Sequence, residues 1–127
     1  MIEDPYNAET RRLFSNPVHA GDIGADHDVT AVADAAESAA GARIRLAVGV
    51  TGGIIREFRY RVFGCPHLIA AAEWASEQLE GREPSELAGF SREACMQKLR
   101  VPVGKTGRII LLEDALGELD ERLRVSN

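Results

Sequence analysis

Residues 43–67, RIRLAVGVTGGIIREFRYRVFGCPH, predict a β-hairpin that leads directly into a helix. The first strand alternates large apolar side chains with small or charged ones, the pattern of a half-buried strand: Ile44, Leu46, Val48 and Val50. Thr51-Gly52-Gly53 supplies the turn. The second strand carries Phe58, Tyr60 and Val62 on one face and Glu57, Arg59 and Arg61 on the other. Because proline suits the first helical turn, a helix should begin at Pro66.

Helical spacing of apolar residues predicts four helices around this hairpin. Their expected positions are about 7–15, 66–80, 91–99 and 106–123, with a short turn near Pro84–Leu87. The combination indicates an α+β fold, in which a small antiparallel sheet is covered by helices. Residues 1–127 are expected to form a single domain, which suits a chain of this length.

Two segments before the hairpin lack a clear period. Residues 18–30 are rich in Gly, Asp and His and are expected to form a loop. Residues 31–42, AVADAAESAAGA, contain seven alanines and no large apolar group except Val32. This tract is expected to be a weak helix or a pliable connection.

The bulk composition is that of an ordinary globular protein, with 45% hydrophobic and 28% charged residues. A net charge of −5 argues against general binding to nucleic acid or anionic membranes. No apolar run is long enough to cross a membrane, and the acidic start is unlike a signal peptide. Two cysteines without a secretory segment suit a reducing compartment, so the expected location is the cytoplasm.

Cys65 is the first candidate for chemistry. Pro66 at the first helical position makes Cys65 the expected N-cap, near free backbone N–H groups and the positive end of the helix dipole. Such surroundings stabilise a thiolate, which attacks sulfur and binds metals. The alternative is a small packed residue at a tight strand-to-helix junction, and local sequence leaves both interpretations open. Cys95 lies inside a predicted helix and is expected to pack.

His67 is a second candidate metal ligand, two residues after Cys65. A metal site of zinc or iron usually has three or four protein ligands, so further donors would have to come from the early loop. His19 and His27 are there, together with Asp22, Asp26 and Asp28. A hydrolase built on Cys65 and His67 is not favoured, because no orienting group or oxyanion motif can be identified.

The ordered series of features resembles the IscU/NifU-type iron–sulfur cluster scaffold family over nearly the whole chain. The series consists of Tyr6 with the helix to Asn16-Pro17, Ala39-Ala40-Gly41 before the hairpin, Gly53-Ile54-Ile55, Phe63-Gly64-Cys65, the turn at 81–87, Pro102-Val103 with Lys105, and Leu112-Glu113-Asp114-Ala115. The resemblance implies the α+β fold of that family. It also implies a role in iron–sulfur cluster assembly, with an iron–sulfur cluster, iron or zinc as the bound species.

The resemblance further implies partners and ligand positions. Family members receive sulfur from a cysteine desulfurase and pass clusters on with chaperones, so these are the implied partners. The family builds its cluster on three cysteines with help from an aspartate and a histidine. In this sequence those five positions read Ala40, Ala42, Cys65, Gly107 and Arg108, so Cys65 alone supplies a donor suited to iron.

Two functional hypotheses follow, and neither is enzymatic. In the first, the protein is a scaffold-like member of iron–sulfur cluster assembly in which Cys65 accepts persulfide sulfur or serves as a single ligand. In the second, it is a pseudo-scaffold that binds or regulates a cysteine desulfurase or a related partner. The sequence leaves the oligomeric state open.

Overall fold

The computed structural model describes residues 6–39 and 41–125 and confirms the α+β fold class. The elements in chain order are α1 (Ala8–Ser15), β1 (Val29–Glu37), β2 (Ala42–Thr51), β3 (Ile54–Phe63), α2 (Pro66–Leu79), a 3₁₀ helix (Pro84–Gly89), α3 (Arg92–Leu99), a second 3₁₀ helix (Val103–Lys105) and α4 (Thr106–Val125). All four predicted helices are present, and each observed boundary lies within two residues of the expected one.

The three strands form one antiparallel sheet in the order β1-β2-β3. The predicted hairpin is β2 and β3, joined by Gly52 and Gly53 at φ values of 63° and 76°. Glycine adopts such positive φ angles without strain, which explains the Gly-Gly pair at the turn. The β2–β3 register shifts between Gly49 and Val50, at a β-bulge.

The expectation for residues 31–42 was wrong, because most of this tract belongs to β1. Ala31, Ala33 and Ala35 pair with β2 in an unbroken register, and β1 begins at Val29 inside the predicted loop. Ala31 and Ala33 are buried under α4. Small side chains let the helix approach the sheet closely, so tertiary packing rather than intrinsic propensity selects the strand here.

Helices α2 and α4 cover one face of the sheet and enclose the core. The side chains predicted to line the inner face of α4 are all buried: Ile109, Leu112, Leu116, Leu119 and Leu123. The sheet contributes to this core large buried side chains from β2 and β3: Ile44, Leu46, Val48, Ile55, Phe58 and Tyr60. Among the described residues, no helix has the length and apolar character needed to cross a membrane.

The segment before β1 packs on the outer face of the sheet, at the β2–β3 turn end. The side chain of His27 is only 5% exposed and lies against the backbone of Gly49 in β2. A Cβ atom at residue 49 would overlap the imidazole ring of His27. Gly49 is therefore required for the approach of this loop.

We expect Gly49→Ala to destabilise the fold by about 1–3 kcal/mol, because the added methyl group forces His27 away from β2. The free energy of unfolding in urea would measure this loss. The matched control is Gly117→Ala on α4, where a Cβ has no neighbour within 4 Å. That change should stabilise the protein by about 0.5–1 kcal/mol through helix propensity. Equal effects at the two glycines would contradict the packing argument.

Candidate functional site

Cys65 lies at the junction between the end of β3 and the start of α2. It is the N-cap of α2, as predicted, with φ −78° and ψ 161°, and Pro66 occupies the first turn. The carbonyl oxygen of Cys65 accepts hydrogen bonds from the N–H groups of Leu68 and Ile69, at 3.0 and 3.3 Å. The thiol is half-buried and makes no capping hydrogen bond. The backbone of the β3–α2 junction therefore positions the sulfur, which caps no N–H group of α2.

Two other positions singled out by the resemblance lie at the same end of the sheet. A Cβ atom on Gly64 would lie 3.7 Å from the Cβ of Ala42, the first residue of β2. A Cβ atom on Gly107, in the first turn of α4, would lie 3.6 Å from an oxygen of Glu37. Glu37 pairs with Ala42 in the β1–β2 register. Position 40 lies outside the described residues.

Glu37 is a carboxylate near this site that sequence reasoning missed. It was hidden because residues 31–42 gave no strand signal, and only the strand register places Glu37 opposite Ala42. Arg108 follows Gly107 at the start of α4 and adds a cation at this end of the fold. The side chains here are therefore mixed in charge, with one thiol at Cys65.

His67 is buried on α2 and has an unused ring nitrogen. Its side chain lies against the Tyr6 ring, with centroids 4.8 Å apart, and the residue is 3% exposed. Nε2 has no hydrogen-bond partner in the structure. Burial, together with the positive charge of Lys105, lowers the pKa of His67 below its ordinary value. The neutral ring, which can accept a proton or bind a metal, is thus favoured.

His19 does not reach Cys65, because a buried carboxylate on α2 holds it elsewhere. Glu73 is fully buried and accepts hydrogen bonds from the His19 backbone N–H, the His19 ring and the Tyr60 hydroxyl. The other ring nitrogen of His19 lies 3.3 Å from Glu80. Burial and the adjacent Glu73 raise the pKa of Tyr60 above its ordinary value. Sequence reasoning missed this network, although a glutamate within the apolar face of α2 was its signal.

His27 is also excluded from the Cys65 region. Its ring bonds to Glu57 at 2.8 Å and to Thr51 at 3.0 Å, at the far end of β2 from Ala42. Ten strand residues separate the two ends by roughly 30 Å. Of the loop aspartates, Asp22 is held by an ion pair with Arg61 on β3, and Asp28 accepts a hydrogen bond from the Gly52 N–H in the β2–β3 turn.

Cys95 is buried in α3, as expected for a packing residue. Burial raises the pKa of its thiol to about 12, so it stays protonated at neutral pH. Among residues 6–39 and 41–125, no group of three or more His, Cys, Asp and Glu side chains is arranged to hold a metal ion.

An open groove of about 510 Å³ lies on the outer sheet face close to Cys65. Its rim includes Arg43, Arg45 and Arg61, together with Phe63, whose side chain is 72% exposed. Arg45 bonds to Asp34 at 2.8 Å. Arg43 makes no ion pair with any described residue. The groove therefore combines the exposed ring of Phe63, two residues before Cys65, with the positive charge of Arg43.

Comparisons with known proteins agree with the geometry. Residues 5–118 match the family described as NifU-like N-terminal domain. The chain belongs to that family. A bifunctional NifU/MnmA protein of Rubrobacter xylanophilus is 35% identical over 118 residues, which cover 91% of this chain but 24% of that protein. The scaffold protein IscU of Azotobacter vinelandii is 27% identical over 112 residues, covering 87% and 88% of the two chains.

The fold is shared with solved members of the NifU group. The crystal structure of a NifU-like N-terminal protein from Brucella abortus superposes with a TM-score of 0.75. The alignment covers 95% of each chain at 16% identity. The expected IscU/NifU-type scaffold family is thereby confirmed for this chain.

The residues of this NifU-like chain do not fit an iron–sulfur cluster. Cluster iron is held mainly by thiolates, and Cys65 is the one accessible thiol in the sequence, because Cys95 is buried. Ala42 and Gly107, two of the ligand positions implied by the resemblance, lie at the Cys65 end of the sheet, but their side chains have no donor atom. Among the described residues, the family fold is present without a group of side chains arranged to hold a metal ion.

Acid titration of Glu57 tests how the segment before β1, which carries His27, is held on the sheet. The Glu57 carboxylate accepts hydrogen bonds from His27 and from the N–H groups of Gly24 and Ala25, which lower its pKa to about 2. Its stabilising contribution is therefore complete above pH about 4.5, the unfolded value, and is lost as the pH falls toward about 2.

We expect Glu57→Gln to lower the free energy of unfolding at pH 7 by about 1–3 kcal/mol, since the amide accepts these bonds poorly. The difference from the unsubstituted protein should shrink between pH 4.5 and 2 in urea titrations. Glu121→Gln on the exposed side of α4 is the control and should give no such trend. A difference that stays constant to pH 2 would rule out the assigned role of Glu57.

Proposed function

We propose that this protein acts in iron–sulfur cluster assembly as a sulfur-accepting member of the scaffold family. The observation that carries the proposal is the half-buried free thiol of Cys65, positioned as the N-cap of α2 without a capping hydrogen bond from its sulfur. Family membership supplies the process, because relatives carry the names of iron–sulfur cluster assembly proteins. The protein itself is not a catalyst in this proposal.

The proposed step is transfer of sulfur from the persulfide of a cysteine desulfurase. The Cys65 thiolate attacks the terminal sulfur of the enzyme persulfide, R–S–SH, and a new S–S bond forms. The original S–S bond breaks, and its electron pair leaves with the enzyme sulfur as a thiolate. The products are Cys65 persulfide and R–S⁻, so no external oxidant or reductant is needed.

The surroundings of Cys65 support the transfer of sulfur rather than the storage of a cluster. A persulfide needs one reactive thiol and an open approach, and both are compatible with a half-buried residue at a helix N-terminus. Storage needs several converging donors, and none of the described sets fulfils this requirement. His67 was a candidate metal ligand in the sequence, and that role stays a prediction.

Incubation with a cysteine desulfurase and cysteine should add one sulfur, about 32 Da, to Cys65, as read by mass spectrometry of the intact protein and its peptides. Cys65→Ser should abolish the addition. Cys95 is the internal control and should stay unmodified, because it is buried. Unmodified Cys65 alongside a demonstrably persulfidated enzyme would refute the sulfur-accepting role. A stable cluster after anaerobic reconstitution with iron and sulfide would refute the claim that storage is lost.

A second candidate function is a pseudo-scaffold that docks on the desulfurase or a related partner without handling sulfur. The groove beside Phe63 favours it, because an exposed ring and Arg43, which forms no ion pair with a described residue, make a surface for an acidic, partly apolar contact. In this alternative the ligand positions were lost while partner binding was kept.

The two functions are separated by paired variants in a binding assay with the desulfurase. If docking is the function, Cys65→Ser should bind as well as the unsubstituted protein, while Arg43→Glu with Phe63→Ser should weaken binding at least tenfold. The control is Arg56→Glu, which changes an exposed arginine near the opposite end of β3. Binding by the groove variant at full strength would exclude the groove as the docking surface.

A further inference from the structure

The ring of His19 lies between two carboxylates of α2. Nδ1 faces Glu73, and Nε2 lies 3.3 Å from an oxygen of Glu80. The side chain of His19 is 13% exposed and that of Glu73 is 1% exposed, so water and salt screen the first contact weakly. Each contact needs a proton between the ring nitrogen and the carboxylate oxygen, because two lone pairs repel.

The other hydrogen bonds of the two glutamates match ionised carboxylates. The second oxygen of Glu73 accepts from the backbone N–H of His19 and from the Tyr60 hydroxyl, each at 2.9 Å. The second oxygen of Glu80 accepts from the backbone N–H of Phe58 at 2.9 Å. An ionised carboxylate accepts hydrogen bonds and donates none, so the protons of both contacts come from the imidazole ring.

A neutral imidazole ring satisfies one of these two glutamates and not both. One of its nitrogens is then a donor and the other an acceptor, so a lone pair of His19 would face a negative oxygen. In the protonated ring both nitrogens donate, and a positive group lies between two negative ones. Protonation of His19 therefore strengthens its attachment to α2.

His27 shows that this demand for two ring protons does not extend to every histidine of the early loop. Its Nε2 lies 2.8 Å from Glu57, but its Nδ1 lies 3.0 Å from the hydroxyl of Thr51. A hydroxyl both donates and accepts, so a neutral His27 ring can satisfy both partners. His19, with a carboxylate on each side, has no such freedom.

Other ionisable groups around His19 already have partners of their own. These groups lie on α2, on β3 and on the segment itself, and their contacts are Glu77 with Arg12, Arg59 with the second oxygen of Glu80, and Asp22 with Arg61. Burial and the adjacent Glu73 raise the pKa of Tyr60, so its hydroxyl stays protonated and remains a donor. The ring of His19 is thus the group whose proton decides both contacts.

His19 belongs to a short segment, residues 17–21, that packs along the edge of β3. The carbonyl oxygen of His19 accepts from the Tyr60 N–H at 3.2 Å, and the Gly21 N–H donates to the Tyr60 carbonyl oxygen at 2.9 Å. The contacts of the His19 ring add α2 to this attachment. The segment is therefore held by backbone bonds to β3 and by one side chain to α2.

The same segment forms one wall of a groove of about 280 Å³ near Cys65. Pro17 and Ala20 lie on the segment side of the groove, and Ile69 of α2 lies on the other side. The backbone N–H of Ile69 bonds to the carbonyl oxygen of Cys65 at 3.3 Å, one helical turn away. Movement of residues 17–21 therefore changes the surface next to the thiol.

We propose that His19 is a pH-sensitive clasp, in which the protonated ring joins residues 17–21 to α2 and loss of the proton lets the segment open. An ordinary histidine side chain changes its charge between about pH 5 and 8. Because the protonated form makes both contacts, lower pH holds the segment closed, and rising pH releases it and widens the groove beside Cys65. The clasp involves no sulfur chemistry and is independent of the proposed function.

Hydrogen exchange at the amides of Tyr60 and Gly21 measures the closed state, because both amides are bonded within it. After correction for intrinsic exchange rates, their protection should fall about tenfold between about pH 6 and pH 8. Nitrogen NMR of histidine-labelled protein should show hydrogens on both ring nitrogens of His19 at about pH 6. Protection that does not change with pH, or a single ring hydrogen at the lower pH, would overturn the proposal.

Glu80→Gln tests the clasp directly, because it removes the need for the second ring proton. The amide oxygen can keep the bond from the Phe58 N–H, while the NH₂ group donates to Nε2 of a neutral His19 ring. In this variant the amides of Tyr60 and Gly21 should stay protected up to about pH 8, with less than about a twofold change.

Glu77→Gln is the matched control on the same helix. Glu77 pairs with Arg12 of α1 rather than with His19, so this variant should keep the full pH dependence of the unsubstituted protein. A fall in protection in Glu80→Gln as large as in the unsubstituted protein would refute the clasp. Loss of the pH dependence in Glu77→Gln would also refute it, since the effect would then belong to another group.

Discussion

The buried carboxylate of Glu73 connects the parts of the molecule that position the candidate site. It accepts a hydrogen bond from the Tyr60 hydroxyl on β3 and two from His19 in the preceding loop. A buried carboxylate without such partners would cost several kcal/mol, so the three donors make burial tolerable. They also fix α2 against β3. Since Cys65 is the N-cap of α2, the placement of the thiol depends on this network.

The sequence predicted the parts of the fold in which periodicity and packing agree. The β2–β3 hairpin and the inner face of α4 have large apolar side chains at regular spacing, and both were confirmed. β1 was missed because its buried side chains are alanines, which carry little periodic signal. A strand built on alanine becomes recognisable only with its neighbours, here β2 on one side and α4 above it.

The candidate site was likewise predicted only in part. The N-cap position of Cys65 follows from the local Cys-Pro sequence and was predicted correctly. The other residues at this end of the sheet could not be predicted locally, because Glu37 and Gly107 are 70 residues apart and meet only through the β1–β2 register and the start of α4. The histidines show the reverse error: His19 and His27 suggested ligands by composition, yet carboxylates at Glu73 and Glu57 hold them away from Cys65.

β1 runs from a groove beside α4 to the end of the sheet that carries Cys65. Glu37, the last residue of β1, lies beside Gly107 at the end of the sheet that carries Cys65. The groove along Thr30–Val32 lies toward the other end of the same strand. The pairing of β1 with β2 therefore places Glu37 and Ala42 together at the Cys65 end of the sheet, although β1 carried no clear strand signal in the sequence.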